Sequence, residues 1–139
     1  AVVEAVEAQQ RAIAQQTAVT DELDGLAAIW RRVSQPELWP HERLFFECYA
    51  RALQGQPPFD TLLPWIVDDW IEPAVAAQVA AGGSADQARA RARVGLAVVR
   101  GLLLDLLATG DRAGADRAFE EFLRAARLAR AAAHDAASS

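Results

Sequence analysis

The stretch RARVGLAVVRGLLLDLLATGDR, Arg91 to Arg112, holds more apolar helix surface than one small core needs. On a helical wheel at about 100° per residue, Val98, Leu102, Leu106, Val99, Leu103, Leu96 and Leu107 fill half the circle without a gap. That face can pack into the chain's own core, where each fully buried Leu or Val is worth roughly 1.5–3 kcal/mol. The other side holds Ala90, Ala97, Gly101 and Ala108, with Leu104 beside them. Small residues let another helix come close. Gly101 costs about 0.5–1 kcal/mol against Ala in mid-helix, and close packing would be a reason to keep it. Two readings fit: a central helix of a monomer, or a two-fold interface. The interface is favoured, because the final helix repeats the pattern and self-association is the common way to cover such surfaces.

Working outward, Gly110 stops this helix and Asp111 can cap the last one, to about Ala133. In that last helix Ala115, Ala118, Phe119, Phe122 and Ala126 form one stripe, with Leu123 and Leu128 off it. Two such helices from each subunit would make a four-helix bundle across a dimer. Upstream, Ser84 opens SADQ, a capping box, and the long helix follows from 85 to about Thr109. FDTLLPWIVDDWIEPAVAAQVAAGG is helical in pattern, with Pro64 and Pro73 expected to kink or interrupt it and Gly82 and Gly83 to end it.

The first part reads as helix from Ala1 to Thr17, then a helix capped by Thr20 and running to about Val33. Leu23, Leu26, Ala27 and Trp30 share a face of that second helix. Ser34 begins SQPE, a second capping box, which predicts a short turn over 34–39. A helix from about Pro40 to Leu53 comes next, and residues 55–58 form a linker. The tail HDAASS is expected to fray. No stretch alternates as a strand does, so the expected fold is all-α: a multi-helix bundle of six or so helices in one domain, 1–139.

Composition narrows the function. The chain has 139 residues and is 53% hydrophobic and 24% charged, which is globular rather than disordered. Arginine supplies all 14 positive charges, and such Arg-for-Lys, Ala-rich usage fits a GC-rich bacterial genome. The net charge of −5, without a dense arginine patch, argues against nucleic-acid binding by this segment itself. One cysteine, Cys48, excludes an internal disulfide and fits a reducing cytoplasm. The most apolar run, Gly95 to Gly110, contains Arg100 and Asp105 and is too short and too charged for a bilayer. There is no methionine, and AVVEAVEAQQ begins as if already inside a helix, so a preceding segment is expected.

Taken together, RARVGLAVVRGLLLDLLATGDRAGADRAFEEFL (Arg91 to Leu123) resembles the last two helices of TetR/AcrR-type transcriptional regulators. ERLFFECYARALQGQ (Glu42 to Gln56), followed by a Pro-containing helix, resembles the same family. The resemblance covers the whole chain, as the C-terminal half of such a regulator, and rests on the order of these motifs and the loop lengths. It implies a homodimeric, effector-binding domain whose last two helices form the dimer bundle. It also implies an N-terminal helix-turn-helix unit ahead of AVVEAVEAQQ, through which alone operator DNA would be touched. The expected interface residues are Ala90, Ala97, Gly101, Leu104, Ala108, Phe119, Phe122 and Leu123. The implied function is ligand sensing by a bacterial TetR-family regulator, a repressor released from DNA by a small hydrophobic or aromatic effector.

In such proteins the effector lies among the helices ahead of the dimer bundle. The candidate lining here is Trp30, Phe45, Cys48, Tyr49, Trp65 and Trp70, with Val99 and Leu103 as a wall from the long helix. Phe45, Cys48 and Tyr49 share one helical face, while Phe46 points about 100° away from it. An aromatic cavity with a few polar tips suits a flat or hydrophobic molecule. Each of these residues also suits plain core packing, and Cys48 reads as a small buried hydrophobe. Arg100 and Asp105 are read first as paired with neighbouring charges or snorkelling to water.

No nucleophile motif, phosphate loop or metal-ligand cluster is present, so neither catalysis nor a cofactor or metal is expected. His41 follows Glu37 by four residues, but Pro40 intervenes. An all-α dimeric enzyme of the chorismate-mutase type would need convergent Arg and Glu side chains. Arg43, Glu47 and Arg51 make one i, i+4, i+8 row, which reads better as a solvated face. A structural dimerisation module without a ligand is the third class.

Overall fold

The computed structural model describes residues 1–16 and 21–139. Among them there are six α-helices and no strand: α1 (Val2–Gln16), α2 (Glu22–Val33), α3 (Trp39–Leu53), α4 (Asp68–Ala80), α5 (Ala85–Thr109) and α6 (Arg112–Ala137). Short 3-10 turns at Pro36–Leu38 and Phe59–Leu62 precede α3 and α4. The expected helix end at Thr17 and cap at Thr20 lie outside the described residues. α2 is capped by Asp21, whose carboxylate accepts from the Asp24 amide at 2.9 Å.

Local chemistry sets the other boundaries. The Ser84 hydroxyl accepts from the Gln87 amide and starts α5; the Asp111 carboxylate accepts from the Gly114 amide at 2.9 Å and starts α6. Gly82 takes φ 88° at the end of α4. There the Gly83 amide donates to the Gln78 carbonyl at 2.8 Å and the Gly82 amide to the Val79 carbonyl at 3.0 Å, a complete Schellman closure. Pro64 does interrupt the helical pattern, leaving only turns between Leu62 and α4, whereas α4 runs on through Pro73.

Two expectations are corrected. Ser34 is not an N-cap: it closes α2 with helical φ −78°, ψ −7°, its amide donating to the Trp30 carbonyl. An N-cap needs extended backbone, and Gln35, at ψ 134°, takes that place ahead of Pro36. The last helix is longer than expected: α6 continues past Ala133 to Ala137. An alanine-rich run has the highest helix propensity, and nothing in it breaks the ladder.

The core forms along α5. Its apolar face meets α2 and α6 in a cluster that includes Trp30, Val33, Val99, Leu103, Leu106 and Phe119. A second cluster joins α1 to α3 and the Phe59–Leu62 turn through Val3, Val6, Phe45, Cys48, Ala52 and Leu62. A third, Ile71, Ala92 and Leu96, seats α4 on α5. Arg89 and Glu72 tie those two helices at 2.6 Å on the outside. α5 and α6 are joined by Gly110 and Asp111 alone and run antiparallel. Among the described residues no helix is long and apolar enough to cross a membrane.

Candidate functional site

Small residues open a cleft of about 350 Å³ between α2, α4, α5 and α6. Its walls are Leu23, Leu26 and Ile29 of α2, Trp70 and Ala74 of α4, Leu96 and Val99 of α5, and Phe122, Ala126 and Ala129 of α6. Gly95 on α5 makes the close approach possible: a Cβ there would fall 3.0 Å from Cδ2 of Leu26. The polar groups are few. Glu22 and Arg130 form an ion pair at 2.7 Å across α2 and α6, and Arg91 stands on α5. A mostly apolar concavity of this size with a few polar groups is the ordinary form of a small-molecule site.

Of the residues chosen from sequence as ligand lining, Trp70 and Val99 reach this cleft. Trp30 is buried, stacked on Phe119 with centroids 5.3 Å apart and planes at 20°, and its indole N–H donates to Asp116 at 2.9 Å. Leu103 lies in the same core. Phe45 and Cys48 sit in the α1–α3 cluster, with Tyr49 edge-on to Phe45 at 5.8 Å. Trp65 lies under the guanidinium of Arg11, 5.2 Å from its ring centre, and borders a separate groove between α1 and α4. Sequence reasoning missed Leu26, Ile29, Gly95 and Arg91. The available signal was the small-residue run Ala88, Ala92, Gly95 on one flank of α5, which is buried here.

The residues chosen for an interface divide. Ala90, Ala97, Gly101, Leu104 and Ala108 are all exposed on α5, with Leu104 at 49%, and a Cβ on Gly101 would meet nothing within 4 Å. Val94 is exposed beside them at 55%, and Leu128 of α6 at 66%. Phe119 and Leu123 turn inward into the protomer's own core, and Phe122 closes one wall of the cleft.

A second polar site lies inside the fold. Glu42 of α3 is 1% exposed. One carboxyl oxygen accepts from the Gln10 side chain of α1 at 3.5 Å, and the other, Oε1, has no hydrogen-bond partner among the described residues. Burial pushes its pKa up to about 7, against the pull of Gln10, Arg100 and Arg32. Arg100 of α5 donates to the Ile66 carbonyl and lies over the rings of Phe45 and Tyr49, 5.5 Å from each. Burial lowers its pKa, while Tyr49 and Glu42 work the other way. Arg100 thus packs inward and ties α5 to α3 and the 63–67 turns, whereas Asp105 is exposed. Arg43, Glu47 and Arg51 form an exposed row, with Arg51 and Glu47 paired at 2.8 Å. Among the described residues no group of three or more His, Cys, Asp or Glu side chains is placed to hold a metal ion. Comparison with protein-family models, with curated proteins and with solved structures gave no match.

Proposed function

We propose that this chain is the ligand-sensing, homodimerising half of a bacterial TetR/AcrR-type transcriptional regulator, a cytoplasmic repressor released from DNA when a small hydrophobic effector enters the α2–α4–α5–α6 cleft. The observation that carries this reading is the outward face of α5. Ala97, Gly101, Leu104 and Ala108 form an exposed apolar and small-residue stripe on the most deeply packed helix of the fold. A second copy laid on that stripe would join α5 and α6 of each subunit into a four-helix bundle. Operator DNA is assigned to a helix-turn-helix unit ahead of α1, in line with the net charge of −5 carried by this half.

The mechanism needs a route from the cleft to α1. Trp70 lines the cleft, and its neighbour Asp69 accepts from Arg11 of α1 at 3.2 Å. Ala14 of α1 and Pro73 of α4 border the same groove as Trp70. A ligand that displaces Trp70 therefore bears on the helix that leads to the DNA-binding unit. The exposed Arg11–Asp69 pair contributes little energy by itself, so packing along that groove has to carry the shift. The ligand must bind the two arrangements of α1 and α4 with different affinity.

Sedimentation equilibrium over a concentration series tests the assembly. The wild-type chain is expected to be a dimer at micromolar concentration. Gly101→Leu is expected to dissociate it with helicity unchanged, because the added side chain meets open space within the protomer. A wild-type monomer, or a Gly101→Leu dimer as tight as wild type, would refute the reading.

A further inference from the structure

The charged groups of the cleft gather at one end. Because α5 and α6 are antiparallel about Gly110 and Asp111, Arg91 lies nearly level with Arg130, while Val99 faces Phe122 closer to the turn. Glu22, at the start of α2, joins Arg130 at that same end through its 2.7 Å ion pair. From Arg91 to Val99 the trough runs about 12 Å along α5 at 1.5 Å rise per residue. Its far part is wholly apolar: Ile29, Trp70, Leu96, Val99 and Phe122.

Glu22 and Arg130 neutralise each other, and their side chains are only 11% and 25% exposed. Arg91 has no such partner. It is partly buried at the cleft mouth and makes no ion pair or hydrogen bond among the described residues. A guanidinium held in this way against apolar walls offers paired N–H donors to a planar anion. A cation would meet an uncompensated positive charge, and a neutral head would leave those donors unanswered.

We infer that the cleft takes an amphipathic carboxylate, its head paired with Arg91 at the mouth and its acyl or aryl tail running toward Val99 and Phe122. This rests on the ligand-sensing reading above and adds the charge and direction of the ligand. The Glu22–Arg130 pair acts as a neutral second wall of the mouth and leaves Arg91 as the one group that reads the head.

The test uses three probes with the same ten-carbon tail — decanoate, decanol and decyltrimethylammonium — in titration calorimetry on the wild-type chain and on Arg91→Gln. Circular dichroism and thermal melting check that the variant is folded. Decanoate is expected to bind the wild type about tenfold more tightly than decanol, with the cation weakest, as one charge-assisted pair would give. Arg91→Gln is expected to bring decanoate to the level of decanol and to leave decanol unchanged. The comparison within the wild type stands even if the variant fails to fold. Equal affinity for decanoate and decanol in the wild type, or a variant that keeps the preference, would overturn the inference and leave the sensor reading intact. Binding of none of the three would overturn both. Dissociation of the dimer by saturating decanoate would also overturn it, because the cleft would then be the seat of the second copy.

Discussion

Replacing Glu42 by Gln should make the protein more stable at neutral and alkaline pH while changing little in acid. The side chain is 1% exposed, and burial moves its pKa from 4.5 to about 7. Below pH 4.5 the carboxyl is protonated in both the folded and the unfolded chain, and a neutral amide of the same shape replaces it at little cost. Between pH 4.5 and about 7 the folded state holds a proton that the unfolded state has released, so wild-type stability falls as pH rises. A displacement of that size corresponds to about 3 kcal/mol at about 1.4 kcal/mol per unit. Glu42→Gln has no such titration. Urea unfolding of both proteins at pH 5, 6, 7 and 8 should show the variant's advantage growing from about 1 kcal/mol to about 3 kcal/mol. Taking the difference removes every other titrating group from the comparison. A difference that stays flat across this range, or that shrinks as pH rises, would refute the reasoning. It would mean that Arg100 and Arg32 already compensate the buried charge.

Other substitutions separate the packing roles. Gly95→Leu should cost at least 1–3 kcal/mol in chemical denaturation, because Leu26 already stands 3.0 Å from where its Cβ would be. Measured at a concentration low enough for both proteins to be monomeric, Gly101→Leu should hold or raise protomer stability by about 0.5–1 kcal/mol, the helix-propensity gain; equal losses at the two positions would contradict the packing described. Phe119→Ala removes the partner stacked on Trp30 and should cost about 3–5 kcal/mol, read in the same denaturation. A loss below 1 kcal/mol would show that the α2–α6 contact closes over the gap.

Helix boundaries were legible where one or two residues decide them. Ser84, Asp111, the pair Gly82–Gly83 and Gly110 act through their own backbone neighbours, so local sequence carries the whole signal. Ser34 misled because its fate depends on Pro36, which draws the next turn's start to Gln35. The aromatic residues were harder. Periodicity gives the face on which Trp30 lies, but not that Phe119, far along the chain, is the ring waiting there. The same holds for the glycines of α5: both sit in apolar surroundings in sequence, and only the position of Leu26 singles out Gly95 as the tight one. The cleft was legible in part, through Trp70 and Val99. Its charged mouth was not, because Glu22, Arg91 and Arg130 come from three separate helices. Nothing local to Glu42 announces its burial, which depends on Gln10 of α1 and Arg100 of α5, both far from it in the chain.

The connection between α5 and α6 is two residues long, Gly110 and Asp111, yet it joins helices of 25 and 26 residues. Bringing these ends together costs little chain entropy, and core residues near the turn, such as Leu106 and Ala115 of the same buried cluster, are separated by few residues in sequence. This hairpin is therefore the segment able to assemble earliest as the polypeptide collapses, before α2 arrives from far upstream to supply Trp30. Until it does, Phe119, Leu103 and Leu106 offer a sticky template to any passing helix. The arrival of α2 seals that template and commits the chain to its own topology.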